Sequence, residues 1–591
     1  MSLGDEESNG RVGARLISTV LAVAALAVAL FYADRLFVGL PLYAGDEGSY
    51  LIHALYGREL AADPTLAPDV LPRTNTVYLL TIRAATYATQ HLLEWLRVVG
   101  AGAYFGGLLL TWWAIRRPLG PGVGIGFLLL ALAFPYYRFI VTALPEGLYV
   151  GILGVLVLVT AKLYRTRPAV HALLAGGLTA ALTLTKPHGL ALAAAVLALA
   201  AIDALGGRRD ARIFAVRALL FVASFLAIGN LVQFAANQPV TDPFAFFLFR
   251  DYDRALSGPT ASSGYLVGLK SLALTTSSMI LLAGVPIATG LSRTVARWRL
   301  SGAQSGLRLD SLELTFLLVL LGAAATLAMV AIFSVKALVY GATESNRLWG
   351  RYFEFFVPLL WLTAAPFIGE FEQRAGKTWR VAMALTPLVG LAGLSAFLWT
   401  DVMLFPWDAT ALSAFFVPDL TMFGLDPLTP YFALATIATI AAATATACTS
   451  WRTHRIWLAY FVTLGVLSTG FDRGWLRAIA EDRSQLTAET LVVDALVSRT
   501  PGAVALVAHD PNAANIVFWR LRARAHMILV PPESDVAAEG LADYDTVVVA
   551  GTHDLGGGDW RPTFQGRQLA VLRREAALAP AERLGLPPGT R

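Results

Sequence analysis

Residues 169–205 read AVHALLAGGLTAALTLTKPHGLALAAAVLALAAIDAL, an apolar run broken at Lys186-Pro187-His188-Gly189. Read as one long helix, the run buries a lysine mid-membrane and inverts every later span. Read as two short helices meeting at a hinge, it keeps their directions. Proline and glycine end helices, and a lone lysine resists burial in hydrocarbon. The hinge is the better reading, and it makes the chain a series of membrane helices of alternating direction.

Composition agrees. The 591 residues are 56% hydrophobic and only 15% charged, with a mean hydropathy of +0.60. That is too apolar for an ordinary soluble domain and excludes disorder. Apolar stretches of about 18 to 25 residues recur, the length a helix needs to cross a bilayer. We read about thirteen spans, centred near residues 28, 106, 130, 155, 177, 197, 226, 277, 323, 361, 390, 440 and 462.

The net charge of +5 orients the chain rather than marking a nucleic-acid partner. The basic loops carry Arg116 and Arg117; Lys162, Arg165 and Arg167; Arg208, Arg209 and Arg212; Arg293, Arg297 and Arg299; Arg374, Lys377 and Arg380; Arg452 and Arg455. With the amino terminus inside, all follow even-numbered spans and fall in the cytoplasm. A loop on the other side holds Asp401, Asp408, Asp419 and Asp426 without a Lys or Arg. Short basic loops lacking interleaved aromatics carry no nucleic-acid signature.

Residues 1–15 read as a cytoplasmic tail and residues 16–471 as the multi-span domain. The first span, 16–40, is too long for a cleaved signal and reads as an uncleaved anchor in the inner (plasma) membrane. A long outer loop, 41–96, follows it, with stretches suited to the interface. The one cysteine, Cys448, leaves no intrachain disulfide. From 472 to 591 charges become frequent. Strands at 503–508, 527–530 and 546–550 alternate with helices at 513–524 and 534–544, giving a small α/β domain with a parallel sheet, periplasmic or otherwise extracytoplasmic. It has no Gly-x-Gly-x-x-Gly loop, so a dinucleotide site is not expected.

Four polar groups then share the outer side: Asp46-Glu47 in Gly-Asp-Glu-Gly-Ser-Tyr (45–50), Pro145-Glu146-Gly147, Thr185 to Gly189, and Glu344 to Tyr352. Singly, each has a structural reading. Asp46 or Glu146 could begin a helix, Lys186 could snorkel, His188 could be an interfacial histidine, and Arg347 and Arg351 could anchor at the surface. Together they set acids and bases beside broken helices on one face, which suits proton and anion chemistry.

With these motifs the chain resembles the GT-C glycosyltransferase superfamily, in the branch of protein O-mannosyltransferases and lipid A aminoarabinose transferases. The resemblance rests on Asp46-Glu47 with Tyr50 after the first span, Glu146, Thr185-Lys186, and Arg351-Tyr352 with Pro358. It covers roughly residues 16–360. Gly48 and Ser49 are smaller than in many relatives, and Lys186 is followed by Pro-His where glycine is common.

The resemblance implies a GT-C-like enzyme that moves a sugar from a polyprenyl-phosphate donor to a lipid, glycan or protein acceptor on the outer face. It implies Asp46 as general base, with Glu47 positioning or alternate and their order open, and Glu146 as a further catalytic acid. Lys186, His188 and Arg351 would hold the donor phosphate. Tyr50, Arg73, Glu344, Arg347 and Tyr352 are candidates for substrate positioning. Asp46, Glu47, Glu146 and His188 could also form an oxygen-rich site for Mg²⁺ or Mn²⁺. The cations can do a metal's electrostatic work, so no cofactor is favoured. A secondary transporter or flippase, or a polymer ligase of the same superfamily, are the alternatives; the absence of a two-fold repeat and of mid-span charge counts against transport.

Overall fold

In the computed structural model the described residues are 45–62, 75–89, 91–119, 121–134, 136, 142–206, 211–236, 261–300, 309–338, 347–374, 377–398, 411–415, 430–448, 453–500, 502–521, 525–530, 538–551 and 560–574, with scattered positions between 19 and 36. The expected first span therefore lies mostly outside the described residues.

The helices are α1 (Gly45–Ala62), α2 (Thr76–Ala88), α3 (Leu92–Ile115), α4 (Pro121–Ala133), α5 (Glu146–Leu163), α6 (Pro168–Thr185), α7 (Gly189–Gly206) and α8 (Ala211–Ala235). They continue with α9 (Ala261–Leu300), α10 (Ser311–Ala337), α11 (Phe356–Arg374), α12 (Lys377–Leu398), α13 (Pro430–Cys448) and α14 (Thr453–Val497). Every expected span centre from 106 onward falls within one of them. Among the described residues, seven helices are long and apolar enough to cross a membrane, and four shorter apolar stretches accompany them. The chain is a multi-pass helical membrane protein.

The hinge forms as the sequence dictates. Pro187 clashes with a helical predecessor, so Lys186 is extended at φ −154°, ψ 131°. Helix α6 stops at Thr185, and the Gly189 N–H closes a turn onto the Lys186 carbonyl at 2.8 Å. The Thr185 carbonyl, left without a helical donor, accepts from the Asn75 side chain at 2.8 Å. A similar repair occurs inside α9. Pro286 has no N–H for the carbonyl of Leu282, and the Trp361 indole donates to that oxygen at 2.9 Å.

Because α6 and α7 run in opposite directions, their far ends meet at the other face of the bundle. There Arg165 grips buried Asp203 at 2.6 and 2.9 Å and donates to the Leu309 carbonyl. Asp310 caps α10 in a reciprocal box with Glu313, and Arg293 and Arg297 from α9 pair with both acids. The ends of three loops read as cytoplasmic, those after α5, α7 and α9, thus gather at one end. Glu146, Lys186 and Arg351 belong to the other.

Helices α3 and α5 pack backbone to backbone. A Cβ at Gly147 would collide with the Gly100 carbonyl, one at Gly154 with Gly107, and one at Gly151 would lie 2.9 Å from the Ala103 carbonyl oxygen. Small residues allow this approach where lipid supplies no hydrophobic drive between helices.

The carboxyl-terminal sheet comprises β1 (Val504–Ala508), β2 (Ala525–Leu529), β3 (Thr546–Ala550), β4 (Trp560–Gln565) and β5 (Leu569–Arg574), in the order β2-β1-β3-β5-β4. The first three are parallel, with Leu506 opposite Met527 and Val548. Helix α15 (Pro511–Arg520) links β1 to β2. The β4–β5 hairpin is antiparallel and was not expected from the sequence. Pro562 disguises β4, and it is tolerated because β4 is an edge strand whose register shifts there. The helix expected at 534–544 is reduced, among the described residues, to one 3-10 turn, Ala538–Leu541. Helix α14 runs unbroken through residue 472, where the composition changes.

Candidate functional site

Four backbone segments deliver polar side chains to one end of the bundle: the first turn of α1, the start of α5, the α6–α7 hinge, and residues 347–354 before α11. Asp46, in the first turn of α1, meets Arg351 Nη2 through Oδ2 at 2.8 Å. Its carboxylate is 29% exposed, whereas Glu47 is fully buried and accepts the Ala143 N–H at 2.7 Å. The two adjacent acids are therefore not equivalent. Asp46 faces the arginine and remains open, while Glu47 ties α1 to the segment leading into α5. Tyr50, one turn on, is buried edge-on against Tyr78 with centroids 5.3 Å apart.

Glu146 opens α5 and, at 3% exposure, is no solvated cap. Its Oε1 binds Lys186 Nζ at 2.5 Å. The extended backbone that Pro187 imposes carries Lys186 into the site beyond the end of α6. Burial pulls the Lys186 ammonium down to about 8, with Glu146 opposing the drop and Arg351 adding to it. His188 is driven well below its ordinary range, first by burial and then by the Lys186 and Arg351 charges. The imidazole is neutral at pH 7, so it offers an N–H rather than a positive charge.

Tyr352 joins these groups. His188 stacks on its ring at 4.2 Å between centroids, and Lys186 Nζ lies 4.4 Å from the ring centre. Arg351 donates to the Tyr352 hydroxyl at 3.0 Å, and the Arg351 carbonyl accepts from Tyr136 at 2.8 Å. Arg347 lies over Trp349, whose ring stacks on Tyr352, one aromatic step away. Arg73 and Glu344 lie outside the described residues.

Asn75, Tyr136 and Glu354 complete the surroundings and were not anticipated. Glu354, fully buried, accepts the Ala411 N–H at 3.0 Å and fixes a turn before α13. Its place two residues after Arg351-Tyr352 was the available signal. Among the described residues Glu146 Oε2 and His188 Nδ1 have no hydrogen-bond partner, and buried polar atoms of that kind call for a ligand or water. No three His, Cys, Asp or Glu side chains group as metal ligands among the described residues.

The arrangement sets an open carboxylate beside two cations and a neutral imidazole N–H, at the end of the bundle opposite the basic loops. It can accept a proton and stabilise an anion in the same place.

No family model matches the chain, and no curated protein matches it. Two solved structures are similar: crystal structures of ArnT from Cupriavidus metallidurans, one bound to undecaprenyl phosphate and one in the apo state. Each is 14% identical over 94% of this chain and covers 97% and 98% of theirs, with TM-scores of 0.49 and 0.48.

Proposed function

We propose that the protein is a membrane glycosyltransferase that takes a sugar from a polyprenyl-phosphate donor and delivers it to an acceptor hydroxyl. The observation that carries this reading is the joint placement of Asp46, Arg351, Lys186 and Glu146. Residues from four distant segments put one partly open carboxylate against a cluster suited to a phosphate. The positive-inside bias of the loops at the far end supports an outer-face position for this cluster.

In the proposed reaction the acceptor oxygen bonds to the anomeric carbon of the sugar as its proton passes to Asp46. The bond from that carbon to the phosphate oxygen breaks, and its electron pair leaves with the polyprenyl phosphate. Lys186 supplies a point charge and Arg351 a fork for the growing negative charge, and His188 supplies an N–H. Glu146 orients Lys186 and supports its charge instead of touching the sugar. Glu47, tied to Ala143, sets the pose of α1. Those roles favour Asp46 over Glu47 as the base. Tyr352 orders the cations around its ring.

Lys186 and Arg351 supply the charge that a divalent ion would otherwise bring, so the proposed reaction needs none. Transfer should persist in excess chelator; loss of transfer restored by Mg²⁺ or Mn²⁺ would reverse that point. The decisive experiment supplies purified protein in liposomes with a radiolabelled polyprenyl-phosphate sugar. A transferase releases the label from the lipid to an acceptor or to water. Label that crosses the bilayer with the donor intact would mark a transporter and overturn the proposal.

A further inference from the structure

The carboxyl-terminal domain is fastened at two places. The first is α15, capped by Asp510 through the Asn512 and Ala513 N–H groups. It buries Ala514, Ile516, Val517, Phe518 and Trp519, and its most extensive packing is against α1 rather than its own sheet. At Gly48, two residues after Asp46, an added Cβ would lie 2.7 Å from the Asn515 carbonyl oxygen and 3.2 Å from the Ile516 nitrogen. The two backbones touch there, which only glycine allows. Two turns on, the Tyr56 hydroxyl reaches the Trp519 carbonyl at 3.5 Å. Gly48 with Asn515 and Tyr56 with Trp519 show that α1 and α15 run in the same sense, amino ends together.

The second fastening is α14. Its Glu489 carboxylate accepts the N–H groups of Arg567, Gln568 and Leu569 at 2.8–2.9 Å, holding the β4–β5 turn against a helix continuous with the last span.

We infer that the carboxyl-terminal domain is a fixed support that sets the position of α1, and that Gly48 is the positioning residue through which it holds Asp46 against Arg351. A domain held at both points does not act as a lid. The activity readout of this inference rests on the transferase reading; its structural readout does not.

Gly48→Ala and Gly48→Leu, made in the full chain in detergent or nanodiscs, test it. By hydrogen exchange, Gly48→Leu should lower protection in α1 and α15 together while α5 and α6 keep theirs. Binding of a short-chain prenyl phosphate to Lys186 and Arg351 should stay within about threefold, while sugar transfer falls at least about tenfold, with Gly48→Ala between. A second arm joins Arg483→Cys to Asp510→Cys by a short thiol cross-linker in a Cys448→Ser background. The guanidinium and carboxylate are 3.9 Å apart. Since Asp510 caps α15, the linked protein is compared with the same double-cysteine protein before linking, whose turnover it should retain. Unchanged exchange and transfer in Gly48→Leu, joint loss of binding and transfer, or inactivation by the tether would each overturn the inference. If the wild-type chain shows no transfer, the transferase reading fails while the exchange arm still decides whether the domain supports α1.

Discussion

Asp46 and Arg351 are 305 positions apart in the chain and 2.8 Å apart in space. In the proposed reaction this pair would link the base to the phosphate site through one guanidinium. A donor phosphate would there compete with Asp46 for the same guanidinium fork.

Asp46→Asn should lower turnover about 10²–10⁴-fold, the usual worth of a general base. Prenyl phosphate binding should hold or tighten, since Arg351 loses its competitor. Single-turnover transfer alongside titration with prenyl phosphate checks both; near-normal transfer in Asp46→Asn and in Glu47→Gln would remove the acid pair from the mechanism.

Donor affinity should weaken as pH rises through about 8, where Lys186 loses its proton in the free protein. In Glu146→Gln the support for that charge is gone, so the fall moves to lower pH. For stability the sign is opposite. Lys186 holds its proton less tightly folded than unfolded, so between about 8 and its ordinary 10.5 the unfolded chain binds more protons and folding gains as pH rises. The pH profile of kcat/KM reads the first effect and thermal melts in detergent read the second.

Gly147→Ala should destabilise by about 1–3 kcal/mol through overpacking against Gly100. It should also lower transfer, because it displaces the start of α5 and with it Glu146. Gly102→Ala, where nothing lies within 4 Å of the added carbon, should leave the melting temperature nearly unchanged.

Glu489→Ala strands three backbone N–H groups at the β4–β5 turn. A charge-assisted bond contributes about 1.5–3 kcal/mol, so hydrogen exchange in β4 and β5 should rise steeply while the membrane helices keep their protection. Unaltered exchange in 560–574 would show that α14 does not hold the hairpin.

The hinge was legible because Pro187 acts locally: it ends α6 and extends Lys186 whatever surrounds it. The gathering of the four polar groups was legible from helix parity alone. Which acid meets which base was not, since pairing Asp46 with Arg351 and Glu146 with Lys186 depends on how helices rotate about their axes. Gly48 showed its limits too. In the sequence it is only a small residue after an acid pair, and its reason, the Asn515 carbonyl, lies more than 460 residues away. The neutral state of His188 was likewise hidden, because burial and two neighbouring cations set it rather than any motif.

The glycine seam between α3 and α5 has a mechanical consequence. Two helices whose backbones touch at successive turns cannot slide or roll without collision, so Glu146, and the lysine it grips, sit at a fixed depth.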